Sequence, residues 1–331
     1  MTRLQSRFLL CATAAAVAFA SSLTATAQER PSSLTISTAS PGGVYAIYGE
    51  GVAQVVSDVV GVPTSTRQTQ GPAQNLVLLQ SNQAELAMVT SGPAYEAMNG
   101  ELSLMGGQKY GDLRALFVMY PTPFQMIAPV SAEVSAIKDF NGKRLGAGPR
   151  AGTGGEYWTR WLADMEIDAN LQYGGIGDQA SQLADGRLDA IVTAGGIPHP
   201  SLSELENTQD VVIFGMTDEV QAEILEQNPY AVEFTIPQGT YETPQGELQT
   251  VAMWNFMTVD AGMSEELAYE ITKAVLENNE RMRSTHSAAK DTLAENILNN
   301  TFIPLHPGAA RYYKEVGIEI PDDIQPQQEG E

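Results

Sequence analysis

The sequence predicts an α/β protein of two domains, and three observations carry that expectation. Short β-type runs alternate with longer segments of helical period, the pattern of helices layered on mainly parallel sheets. The chain has 331 residues, enough for roughly two domains of ordinary size. It is 43% hydrophobic and only 18% charged, so each half can build a core and disorder is excluded as the overall state.

Strands are expected at residues 34–38, 63–67, 85–90, 114–120, 124–129, 144–147, 188–193, 211–214 and 250–259. Between the first two, Tyr45, Tyr48, Val52, Val55, Val56 and Val59 recur at helical spacing and predict an amphipathic helix over 43–60. Trp158, Trp161, Leu162 and Met165 form a second such stripe, read as core. Ser264 followed by Glu265 and Glu266 is an N-cap with acids in the first turn, opening a helix to about residue 283. A last helix over 309–316 is stopped by Gly317. The rigid Pro121-Thr122-Pro123 run and the polar loop 241–246 mark the expected crossovers between halves. The organisation is therefore 28–123 with 252–320 as lobe 1, 124–251 as lobe 2, and 321–331 as a flexible acidic tail.

At the start, Arg3 and Arg7 precede the apolar run 8–20 and the small-residue site Ala25-Thr26-Ala27. That is the pattern of a cleaved secretory signal over 1–27. Cys11 is the sole cysteine and lies inside it, so the mature chain is expected to have no disulfide and no thiol chemistry. No later segment has 18 uninterrupted apolar residues, and a soluble periplasmic monomer without a permanent membrane anchor is expected. With 40 acidic against 18 basic side chains, the net charge of −22 argues against nucleic acid and anionic membrane surfaces as partners.

Enzyme signatures occur only in fragments. Gly146-Ala147-Gly148-Pro149-Arg150-Ala151 is a loose dinucleotide motif with proline inside the turn and no clear second βαβ half. Ser135-x-x-Lys138 and Ser287-x-x-Lys290 lack the companion motifs of serine acylases. The three histidines, His199, His286 and His306, form no metal-spaced pair, and no nucleophile elbow is present. The sequence encodes no readable catalytic chemistry and calls for no metal or cofactor.

Binding chemistry is legible in four turns that follow strands. They are Ala39-Ser40-Pro41-Gly42-Gly43, Thr69-Gln70-Gly71-Pro72-Ala73-Gln74-Asn75, the glycine-rich 148–155, and Ala194-Gly195-Gly196-Ile197-Pro198-His199. In open α/β sheets the carboxyl ends of strands face the ligand crevice, and helices starting there offer free N–H donors at a positive dipole end. Two turns from each half would make a cradle for a small anion or zwitterion.

A set of short motifs runs in order through the chain. They include Gly42-Gly43-x-Tyr45, Gly71-x-x-x-Asn75-Leu76, Gln83-Ala84-Glu85-Leu86-Ala87 and the segment Lys138-Asp139-Phe140-Asn141-Gly142-Lys143-Arg144. Pro149-x-x-Gly152-Thr153, Asp185-Gly186-Arg187-Leu188-Asp189-Ala190, Pro237-x-Gly239-Thr240-Tyr241 and the run from Ile303 to Tyr313 follow. Nearly end to end, the mature chain resembles the TAXI-type solute-binding proteins of tripartite ATP-independent periplasmic (TRAP) transporters. The resemblance implies a two-lobed periplasmic binding fold of type II, each lobe a mainly parallel sheet flanked by helices, with the ligand cleft between lobes. It also implies closure by hinge bending, delivery to transporter membrane subunits, small carboxylates such as glutamate, glutamine or 2-oxoglutarate as ligands, and no catalysis. Three family hydroxyls are replaced: Pro41 stands before the first glycine pair, Pro72 follows Gly71, and Ala151 precedes Gly152.

The expected ligand residues are Ser40, Gly42, Gly43, Tyr45, Asn75, Thr90 and Ser91 from lobe 1. From lobe 2 they are Arg150, Gly152, Thr153, Gly154, Gly195, Gly196 and Pro198. Arg150 is expected to pair with a carboxylate and Tyr45 to pack on the carbon skeleton. Two other classes stay open from sequence: a receptor that presents its solute to a sensor kinase, and an exported hydrolase.

Overall fold

The computed structural model describes residues 30–243 and 246–327, so the expected secretory signal at 1–27 and residues 328–331 lie outside the described residues. The first body begins with β1 (Leu34–Ser37), α1 (Val44–Val55) with a wider turn over Val56–Val60, and β2 (Thr64–Arg67). Then come α2 (Pro72–Gln80), β3 (Leu86–Thr90) and α3 (Ser91–Asn99). Every residue of β3 is buried, as a strand covered on both faces requires. Tyr45, Tyr48, Val52 and Val55 form the buried stripe of α1 that their spacing predicts.

β4 (Leu113–Pro129) runs unbroken through the Pro121-Thr122-Pro123 segment, where two strands and a connection were expected. The ladder it forms is irregular beside Pro121, with a register shift between Trp254 and Phe256, so the missing proline N–H groups fall next to a break in regular pairing. The chain continues through β5 (Arg144–Gly146), α4 (Thr153–Asp164), β6 (Asn170–Gln172), α5 (Ile176–Ala184) and β7 (Ala190–Ala194). Next are α6 (Pro200–Thr208), β8 (Val211–Phe214), α7 (Asp218–Gln227), β9 (Val232–Ile236) and β10 (Leu248–Asp260). β6 is short and polar, and β9 begins with two exposed residues, so neither gives a buried apolar run of the kind seen in β3 and β7.

Strands β2, β1 and β3 pair in parallel, as do β6, β5 and β7. Between these parallel blocks stand the antiparallel β10 and β4, giving the order β2-β1-β3-β10-β4-β7-β5-β6, with β8 on β4 and β9 on β10. β4 serves both blocks: residues 113–123 pair with β10, and 124–129 pair with β7 and β8. The result is a curled, mixed sheet covered by helices. One large core lies around β1, β3 and α1, a second holds Phe124, Phe140, Trp158 and Trp161, and a third gathers Ile127, Ile191, Ile213 and Leu202.

Three helices end the described chain: α8 (Glu265–Glu277), α9 (Asn279–Thr285) and α10 (Pro307–Glu315). The Ser264 hydroxyl caps α8 by accepting from Leu267 N at 3.4 Å, as expected. The single helix predicted to residue 283 is instead interrupted at Asn278, whose amide turns back to donate to Ala274 O at 2.7 Å. The segment expected to form a loose tail is packed as far as Gln327. Ile324 is fully buried, its carbonyl accepts from Leu305 N at 2.9 Å, and Arg114 donates to the Gln327 side chain. One apolar residue within an acidic stretch supplies that anchor.

Candidate functional site

The carboxyl ends of β1, β3, β5 and β7 face a common cavity of about 560 Å³, counting its solvent-open mouth. Ser40, Gly43 and Tyr45 enter it from the turn after β1, Gln70 and Gly71 from the turn after β2, and Thr90 from the end of β3. Gly152, Thr153 and Gly154 enter from the start of α4, with Thr193, Gly195, Gly196 and His199 from the end of β7 and the turn behind it. Thr122 completes the floor. Among the described residues no Asp, Glu, Lys or Arg lines this cavity.

Nine of the sequence-predicted residues therefore meet at one place: Ser40, Gly43, Tyr45, Thr90, Gly152, Thr153, Gly154, Gly195 and Gly196. Five do not line it. Asn75 is fully buried behind the wall, donating to Thr38 O at 2.7 Å and Met88 O at 2.8 Å while accepting from the Thr69 hydroxyl. It fixes the turns after β1 and β2 rather than reaching the space between them. Ser91 donates to Tyr230 O at 2.7 Å. Gly42 turns its carbonyl to the Ser201 hydroxyl, and Pro198 sits behind His199 on a cis Ile197–Pro198 bond. Arg150 lies over the Tyr173 ring, 3.8 Å from its centroid, on the outer side of the α4 turn.

Sequence reasoning missed Gln70, Thr122, Thr193 and His199. Gln70 and His199 stand inside two of the turns already singled out by their glycines. Thr193 ends an apolar strand and Thr122 sits between two prolines, so their positions at strand crossings were the available signal.

Polar groups knit the floor. Tyr45 donates to Asn255 Oδ1 at 2.6 Å, and Asn255 in turn donates to Tyr120 O and Thr122 Oγ1, both at 2.6 Å. Burial holds the Tyr45 phenol well above its usual range, so it stays a neutral donor. The walls also touch each other. Thr90 Oγ1 and Thr153 Oγ1 lie 2.9 Å apart, and Ala73 N donates to Ala151 O at 3.3 Å. Gly71 has φ +124°, and a Cβ on it would lie 2.8 Å from Gly152 Cα, so only glycine allows this approach. The Gly195-Gly196 turn is likewise squeezed: a Cβ on Gly195 would meet His199 Cδ2 at 2.6 Å, and one on Gly196 would meet the Tyr120 ring at 2.8 Å.

Six helices start at this cavity. α1, α2, α3, α4 and α6 place their N-cap residue on its wall, and α5 places its first residue, Ile176, there. None of the six has a side-chain cap. By contrast, α7, α8 and α10 are capped by Thr217, Ser264 and His306. Convergent uncapped N-termini supply N–H donors and a positive local potential in a space without cationic side chains.

His199 brings the imidazole to this wall. Burial, with His286 nearby, pushes its imidazole down to about 4, so it is neutral at physiological pH.

The sequence profile of the NMT1-like family matches residues 36–317. The chain belongs to the NMT1-like family. Solved structures similar to this NMT1-like protein include MatC from Rhodopseudomonas palustris with bound malate, at TM-score 0.56 and 12% identity over 86% of this chain and 98% of that one. A periplasmic transporter structure matches at TM-score 0.54 and 14% identity, over 87% and 94% of the two chains. An ancestral arginine-binding protein bound to arginine matches at TM-score 0.50 and 12% identity, over 79% and 99%. At such identities these matches establish the fold alone. The NMT1-like chain has the two-lobed fold of periplasmic binding proteins, with a cleft between lobes.

Proposed function

We propose that this protein is an extracytoplasmic solute receptor that binds a small carboxylate between its lobes and delivers it to the membrane subunits of a TRAP transporter. The observation that carries the reading is the charge-free cavity ringed by six helix N-termini without side-chain caps. Main-chain N–H groups, with Thr90, Thr153, Thr193 and Ser40, hold the anionic head, and Tyr45 packs on the carbon skeleton. A carboxylate bound this way needs no arginine, because dipole ends and several donors share its charge.

The malate and arginine seen in two structures of the same fold suit a receptor for small polar solutes. The order of motifs described above supports the TAXI-type assignment and, with it, a cleaved leader, periplasmic residence and TRAP partners. Lobe 1 comprises residues 28–123 and 252–320 and lobe 2 residues 124–251, joined through the long strands β4 and β10, so that bending there opens the cleft. Among the described residues no helix is long and apolar enough to cross a membrane.

A thermal-shift and calorimetric screen of amino acids, keto acids, hydroxy acids and dicarboxylates tests the reading, since a bound ligand stabilises the fold by RT ln(1 + [L]/Kd). A micromolar or tighter carboxylate supports it. A panel without any stabilising acid sinks it. For the partner, membrane permease genes beside this reading frame support transport, and a histidine kinase gene in their place counts against it.

A further inference from the structure

We propose that His199 is a ligand contact whose imidazole hydrogen-bonds an uncharged polar group of the solute. The pocket then selects a monoanion with one neutral hydrogen-bonding group over a dianion of the same shape. The inference deepens the receptor reading and rests on it.

Three observations converge on this residue. His199 lines the cavity at the start of α6, is only 2% exposed, and its Nδ1 is buried without a hydrogen-bond partner. Buried polar atoms in folded proteins are nearly always paired, and an orphan in a ring that lines a binding cleft is one that a ligand can satisfy. The turn that carries the ring is also held in place. His199 N donates to Tyr241 Oη at 2.8 Å, Tyr241 donates to Gln125 Oε1, and Gln125 Nε2 donates to Gly195 O at 2.8 Å. Gly195 is the residue whose missing side chain leaves room for the imidazole. The same buried chain of bonds therefore fixes both ends of the turn that carries the ring.

Selectivity follows from charge. A single carboxylate is served by the helix N-termini, but a second one reaching His199 would be desolvated among neutral groups with no cation on the wall. Burial keeps the imidazole uncharged, so it supplies no such cation. An amide or hydroxyl at that point gains a partner without carrying a charge into the pocket.

The test uses the purified mature chain and two matched pairs, L-glutamine with L-glutamate and glutaramate with glutarate, by calorimetry. The expected result is tighter binding of the amide in at least one pair by about 10-fold, with His199→Leu reducing amide affinity about 10-fold and levelling the pair. His199→Gln, which keeps a neutral polar group, should retain most of the preference. Because a buried substitution can perturb folding, wild-type protein labelled with 15N-histidine gives a second readout. With only three histidines, the His199 ring signals should move on adding the amide while those of His306 stay. Equal or tighter binding of the diacids, or amide binding that leaves the His199 signals unmoved, overturns the inference and leaves the receptor reading standing. Failure of all four probes and of the wider acid panel overturns the receptor reading and this inference together.

Discussion

Ser201 gives its hydroxyl hydrogen to the carbonyl oxygen of Gly42 across 2.9 Å, joining the start of α6 to the turn after β1. Neither residue lines the cavity, yet each is next in sequence or one residue removed from a lining residue, Gly43 or His199, and a Cβ on Gly42 would come within 2.9 Å of Gly177 N. Ser201→Ala should therefore leave the pocket chemistry intact and weaken ligand binding by about 2- to 10-fold, the worth of one hydrogen bond. Calorimetry with the strongest carboxylate from the screen measures it; unchanged affinity would show that the bond does not help hold the walls together.

Gly71→Ala should act more severely. The backbone there has a φ that disfavours any side chain, and the added carbon would meet Gly152 Cα at 2.8 Å. Affinity is expected to fall by at least about 10-fold. Small-angle scattering of the ligand-saturated protein should give a larger radius of gyration than wild type. A variant with wild-type affinity and radius would mean that the two turns need not meet.

Acid should destabilise the protein through its buried histidines. The His199 ring titrates near 6.5 when unfolded and near 4 when folded, so between those values the unfolded chain binds the extra proton. This contribution is complete above pH 6.5 and is lost as the pH falls toward 4. By pH 4.5 the loss amounts to about 2–3 kcal/mol. Burial lowers His286 and His306 as well, with the same sign. Urea unfolding at pH 7 and pH 4.5 measures the total, and His199→Gln should reduce the difference; an equal pH dependence in the variant would refute the assignment.

Arg150→Ala should leave carboxylate affinity within about twofold, because the guanidinium lies on Tyr173 and not on the cavity wall. Its loss removes an exposed cation–π contact worth about 0.5–1 kcal/mol, a small fall in Tm. A tenfold affinity loss would instead place Arg150 on the ligand.

Glu96 on α3 accepts from Arg160 on α4 at 2.8 Å and from the Tyr157 hydroxyl at 2.8 Å. Its side chain is 5% exposed, but that of Arg160 is 41% exposed and also pairs with Glu156, so solvent discounts the ion pair. Glu96→Leu should cost about 2 kcal/mol, chiefly by stranding the buried Tyr157 hydroxyl. Denaturant unfolding without ligand checks this, and a neutral result would mean that Tyr157 finds another partner.

The turns that line the cavity were legible because strand-end glycines are a local signal. Gly43, Gly71, Gly152 and Gly195 each sit where a strand hands over to a helix, and the α/β rule places such turns on one edge. What the side chains do there was not legible. Asn75 reads as a ligand donor from its motif, but its amide bonds to Thr38 and Met88 carbonyls that are distant in sequence. Arg150 looks like the natural partner of a carboxylate until Tyr173 appears beneath it. His199 was passed over because its significance lies in an absent hydrogen bond, which only three-dimensional packing can reveal.

The lack of side-chain caps on the six cavity helices has a thermodynamic consequence for the empty chain. A serine, threonine or aspartate at such a position typically adds about 1 kcal/mol, and here that increment is forgone repeatedly on a single face. Solute capture thus completes the architecture as well as filling it. The unladen chain should be the more readily digested form, and limited proteolysis with and without the strongest ligand of the screen would register the difference.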